Sequence, residues 1–152
     1  MKHSTLKMLT TGMVSAAALV LAVPASAQPA QNLPLDKPAY AGNVRLACTG
    51  IGSQSRQNPR WNNYPVKFVT VGGYGQYLAG EDITLRRSGR DELLHVKCGG
   101  PWLLMHLPAG GYTASVDVPG AMAKTVHFNV AENGHREVVV RFPSKMAGDE
   151  ND

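Results

Sequence analysis

The chain has 152 residues, with 15 Lys+Arg against 11 Asp+Glu and 43% hydrophobic residues. This is one domain's length, with enough apolar content to bury a core without metals or many disulfides. Two of the positive charges, Lys2 and Lys7, fall in an N-terminal leader and leave 13 against 11 in the remainder; a balance so near neutral excludes a nucleic-acid partner of the uniformly basic kind.

The leader reads as a cleavable signal peptide over residues 1–27. Lys2 and Lys7 form its positive region, residues 12–23 (GMVSAAALVLAV) its apolar core, and Ala25-Ser26-Ala27 its small-residue cleavage site. The core is too short to span a bilayer comfortably, and Pro24 breaks it. Cys48 follows Leu46-Ala47 but lies far from the hydrophobic core behind Arg45, so it is not a lipid-attachment cysteine. The expected location is therefore periplasmic or secreted, with no membrane insertion after cleavage. Residues 28–42 carry Pro29, Pro34 and Pro38 without periodicity and read as an extended linker. Residues 43–143 form the domain, and 144–152 (SKMAGDEND) an acidic flexible tail.

Within the domain the pattern is alternation, with no convincing helix. Val44, Leu46 and Cys48 share one face. Residues 65–71 (PVKFVTV) are β-branched and aromatic. Ile83 and Leu85 alternate with Asp82, Thr84 and Arg86, and Ser88-Gly89-Arg90 turns the chain into Leu94, Val96 and Cys98. Residues 101–107 (PWLLMHL) are continuously apolar, as a central strand is, which places Trp102 in the core. Tyr112, Ala114, Val116 and Val118 alternate, as do Val126, Phe128 and Val130; Glu132-Asn133-Gly134 then turns into residues 136–142 (REVVVRF). Tyr112, Val116, Val126, Phe128, Val138 and Val140 are the expected buried set. Short strands with regular turn signals predict an all-β, antiparallel β-sandwich of seven or eight strands. Both cysteines fall on inward-pointing positions of an exported chain, which favours a Cys48–Cys98 disulfide over two buried free thiols.

Residues 101–113 (PWLLMHLPAGGYT) resemble the "apolar strand, L-P-x-G-x-Y" signature of carboxypeptidase regulatory-like domains. There Pro108 and Gly110 make a turn and Tyr112 opens the next strand; Gly111 is an extra glycine in that pattern. The order Thr49-Gly50-Ile51-Gly52, Tyr77-Leu78-Ala79 and Gly99-Gly100-Pro101-Trp102 resembles small exported proteobacterial proteins of this type. The resemblance implies a prealbumin-like (transthyretin-like) sandwich over about residues 43–142, and it carries no chemistry.

His95, His106, His127 and His135 show no metal-ligand spacing, and His95 and His127 fall on polar strand faces; no metal or cofactor is expected. Transthyretin-like hydroxyisourate hydrolases keep a C-terminal Y-R-G-S, where this chain has Arg141-Phe142-Pro143-Ser144. Tyr64, Tyr74, Tyr77 and Tyr112 are not paired with histidines as an iron dioxygenase requires, and no G-x-S-x-G nucleophile occurs. The remaining candidate is residues 53–64 (SQSRQNPRWNNY), where Arg56, Arg60, Trp61 and Tyr64 combine charge and stacking surface for a glycan or polyanion. The alternative is a polar connection with Trp61 folded over a sheet edge. The expected function is an exported, non-catalytic binding or structural module of the cell envelope, with an envelope protein or glycan as partner. A carbohydrate- or polyanion-binding module using that loop is the second reading, and a transthyretin-like hydrolase the third.

Overall fold

The computed structural model describes residues 29–143. Ten strands form two five-stranded sheets packed face to face. In chain order they are β1 (Gln31–Asn32), β2 (Pro38–Ala41), β3 (Val44–Thr49), β4 (Val66–Val71), β5 (Glu81–Arg87), β6 (Glu92–Cys98), β7 (Trp102–Met105), β8 (Gly110–Asp117), β9 (Lys124–Val130) and β10 (Arg136–Arg141). The first sheet has the order β1-β6-β5-β8-β9 and the second β10-β4-β7-β3-β2. A short helix α1 (Gly52–Gln57) and a 3-10 turn (Pro59–Asn63) lie between β3 and β4.

Strands β3 to β10 are the eight expected from alternation, and the all-β sandwich holds. The apolar run 101–107 supplies β7, the middle strand of the second sheet. Two features differ. The sandwich is mixed rather than wholly antiparallel, because β10 pairs in parallel with β4 and β1 in parallel with β6. Residues 28–42 are also not a linker throughout: β1 and β2 each extend a sheet edge, and Leu33 and Ala41 are buried in the main core. Proline is tolerated there because an edge strand need not donate on its outer side. The expected signal peptide and acidic tail lie outside the described residues.

Period-two alternation decides which side chains meet. Leu46 and Cys48 of β3, Val66 and Phe68 of β4, and Leu103 and Met105 of β7 face inward. They meet Ile83, Leu85, Val96, Tyr112, Ala114, Val116 and Phe128 of the first sheet in one core cluster. Phe128 bridges the sheets, 5.2 Å edge-on from Phe68 and 5.5 Å stacked from Tyr112. The Tyr112 hydroxyl donates to the Pro108 carbonyl at 2.6 Å, so the phenol lies in the core with its polar end satisfied. Val126 and Val138 pack against this cluster but are only half-buried. They sit on β9 and β10, edge strands that cover one side only. Cys48 and Cys98 form a disulfide with Cα atoms 5.4 Å apart, tying β3 of one sheet to β6 of the other.

Candidate functional site: a cationic groove on the outer face of the second sheet

The outward positions of the second sheet follow from the same alternation. Across the strands they form a row Glu137–Lys67–Leu104–Ala47 and a second row Val139–Val69–Trp102–Thr49. An apolar pair such as Leu104 and Ala47 on an outer face needs a cover, and the segment between β3 and β4 provides it. Trp61 and Tyr64 fold back onto Ala47 and Leu104, making a second small core outside the sandwich.

The cap is pinned from several directions. The Trp61 indole Nε1 donates to the Ser55 carbonyl at 2.9 Å. Asn58 accepts from the Arg60 backbone N–H, and Pro59 stands at the start of the turn, where its missing N–H loses nothing. The Asp36 carboxylate accepts from Thr49 Oγ1 at 2.5 Å and Ser55 Oγ at 2.9 Å, joining the N-terminal segment to the cap. Gly50 takes φ +97°, and a Cβ there would come within 2.8 Å of Trp102, so only glycine lets the chain leave β3 this close to the indole.

Sheet and cap together form a groove of about 420 Å³, lined among others by Arg56, Tyr64, Lys67, Trp102, Arg136 and Glu137. A shallower groove at the same end of the molecule adjoins it through Asn62, Pro65 and His135 and contains His106 and Glu132. Cations on this face lie against rings. Arg45 is 5.3 Å from the Tyr64 ring, Arg56 5.1 Å from Tyr77, Arg60 4.1 Å from Trp61, and the Lys67 ammonium 4.4 Å from Trp102. Lys67 also pairs with Glu137 at 2.6 Å. Arg136 lines the groove with a side chain that makes no hydrogen bond or ion pair among the described residues. On the first sheet Asp82 contacts His95 at 2.6 Å and Lys97 at 3.8 Å.

The four loop residues singled out from sequence are brought to one place, but not as an exposed arm. Trp61 and Tyr64 are buried. Arg56 is half-buried and donates to the Gly50 carbonyl at 2.9 Å. Arg60 reaches the Asp36 carbonyl and lies over Trp61 outside the groove lining. Trp102, expected in the core, instead faces outward from β7 and lies half-buried in the groove, because its parity is opposite to that of Leu103 and Met105. Lys67, Arg136 and Glu137 were missed. Alternation marks Lys67 and Glu137 as outward, but only the parallel pairing of β10 with β4 sets them side by side.

Two groove residues carry buried polar atoms without partners, the Tyr64 hydroxyl and the Trp102 indole N–H. A third unpartnered group, the Glu81 carboxyl, lies away from the groove at the start of β5. It has no exposure, and burial pushes its pKa up to about 8; the neighbouring Thr70 hydroxyl only partly offsets this. That hydroxyl is itself committed as a donor to the Leu78 carbonyl at 2.8 Å. Among the described residues no group of three or more His, Cys, Asp or Glu side chains is placed to hold a metal ion. No helix among them is long and apolar enough to cross a membrane.

No family model matches the chain, and no curated protein matches it. Among solved structures it is similar to the 5-hydroxyisourate hydrolase of Klebsiella pneumoniae. The identity is 13%, the match covers 52% of this chain and 85% of that one, and the TM-score is 0.39. A likeness this distant says nothing about activity.

Proposed function

We propose that the chain is an exported, non-catalytic β-sandwich that acts as a binding module in the cell envelope, meeting its ligand at the groove between the cap and β10. One observation carries the reading. Arg56, Lys67 and Arg136 converge on a single concave face beside Tyr64 and Trp102, with Glu137 as the acidic residue among the groove's lining. Cations held against rings are immobilised before a ligand arrives, which reduces the ordering cost of binding. The non-catalytic reading is supported by the fate of the reactive groups. The carboxyl with the raised pKa, Glu81, is sealed inside the sandwich, while Asp82 and His95 are engaged with each other. Export is supported by the leader sequence and by a disulfide, which persists in an oxidising compartment.

The test is retention on isolated envelope material. The processed chain should be retained and eluted by salt. The triple variant Arg56→Ala, Lys67→Ala, Arg136→Ala should pass through while remaining folded by circular dichroism. Equal retention of the triple variant would remove the groove from the function.

A further inference from the structure

We propose that the groove is a site for a glycan carrying carboxylates on its sugar rings, and that Glu137 occupies, in the free protein, the position a ligand carboxylate takes against Lys67. This rests on the reading of the groove as a binding surface and names the chemistry of its occupant.

The groove's floor selects the class. A uronate-type sugar presents an apolar C–H face and a carboxylate within one ring, so its site needs a cation and an aromatic surface at nearly the same place. Lys67 over Trp102 at 4.4 Å is such a place within the groove, and Arg56 over Tyr77 at 5.1 Å is a second beside it, Tyr77 lying outside the lining with its ring 6.3 Å from Trp102. Tyr77 is half-exposed, and Trp102 is only partly buried. Arg56 spends one amino group on the Gly50 carbonyl, and the remaining N–H donors of its guanidinium can receive a carboxylate. An extended acidic peptide is served less well. It binds through a row of free backbone donors and acceptors, and the floor here is the face of a sheet, not its edge. A nucleic acid presents phosphates far more densely than three cations beside a glutamate can match.

Glu137 gives the proposal its sharpest consequence. Its carboxylate lies 2.6 Å from the Lys67 ammonium, and the two side chains are 52% and 32% exposed. A pair this open to water is held weakly, so a ligand carboxylate can exchange with it. Arg136 lines the same groove from the first position of β10, on the strand parity opposite to Glu137, and without a polar partner among the described residues it is the cation left to take a further carboxylate. Glu137 therefore acts as a built-in competitor that lowers affinity and is displaced on binding.

The experiment measures affinity at low salt for three polymers: polygalacturonate, neutral dextran and poly-glutamate. It uses the processed chain, Glu137→Gln and Arg136→Ala. Both substitutions fall on exposed positions of an edge strand, so both variants keep the fold. Polygalacturonate should bind, with at least tenfold preference over the other two. Glu137→Gln should tighten that binding about fivefold, and Arg136→Ala should weaken it about tenfold. A Glu137→Gln variant that binds more weakly or unchanged overturns the displacement. Poly-glutamate bound as tightly as polygalacturonate overturns the glycan class in favour of an acidic peptide. Dextran bound equally well, with no response to Arg136→Ala, overturns the carboxylate chemistry. Failure of all three polymers overturns this inference alone, since the envelope-retention test decides separately whether the groove binds anything.

Discussion

At the scale of single residues, Glu81 sets a pH dependence that most of the chain does not share. Its carboxyl is fully buried without hydrogen-bonding geometry, and its pKa rises from 4.5 to about 8. In the unfolded chain the group ionises near its ordinary value, while in the folded protein it holds its proton until about pH 8. Between those values the unfolded state is favoured progressively. The contribution of Glu81 to stability is therefore most favourable below about pH 4.5, falls as pH rises, and levels off above pH 8, a change of about 5 kcal/mol if each pKa unit is worth 1.36 kcal/mol. Denaturant titrations at pH 5 and pH 8 should show this fall in the natural chain and much less of it in Glu81→Met, a replacement of similar length without a polar group. A natural chain as stable at pH 8 as at pH 5 would mean that the carboxylate reaches water. The residue was partly legible: parity places position 81 on the inward face with Ile83 and Leu85. What alternation hid is that β5 begins so early, since a glutamate after Gly80 reads as the end of a polar loop.

At the scale of elements, the cap between β3 and β4 shows why charge and polarity in a sequence do not settle exposure. Residues 53–64 carry polar and charged side chains almost throughout, yet Trp61 is only 6% exposed and closes over Ala47 and Leu104. Replacing Trp61 by alanine should remove about 3 kcal/mol or more, the usual consequence of emptying a buried aromatic site. Arg60→Ala, which loses a ring contact and a bond at an exposed position, should remove about 1 kcal/mol or less. Thermal melts of the two variants check the ranking, and similar losses from both would mean that the arginine, not the indole, holds the cap. The strands β3 to β10 were readable because their inward sets are large and β-branched or aromatic. Strand β2 was not, because its inward residues are only Ala39 and Ala41, and Tyr40, the large one, points outward. The groove was half readable for a related reason. Its cap residues are contiguous in sequence, whereas Lys67 and Glu137 meet through a parallel pairing across 70 positions, which no local pattern encodes.

At the scale of the whole molecule, the two sheets are joined by their shared core and by one covalent bond, and the pH effect of Glu81 acts beside that bond. Glu81 lies directly opposite Cys98 in the β5–β6 ladder, and Cys98 is bridged to Cys48 across the sandwich. The bridge closes a loop of 50 residues, for which chain entropy gives about 4 kcal/mol of stabilisation. A domain's total stability is about 5–15 kcal/mol, so the bridge and the Glu81 penalty are each a large part of it. They act in opposite directions, and the penalty is complete only at alkaline pH. The double variant Cys48→Ala, Cys98→Ala should therefore remain folded at pH 5 and lose most of its cooperative transition at pH 8, while the disulfide-bonded chain stays folded at both. Circular dichroism melts of the two proteins at the two pH values provide the comparison. Restoring a folded state at pH 8 by adding Glu81→Met to the double variant would assign the difference to the carboxyl. A double variant equally stable at both pH values would separate the two effects and show that opening the bridge lets water reach Glu81.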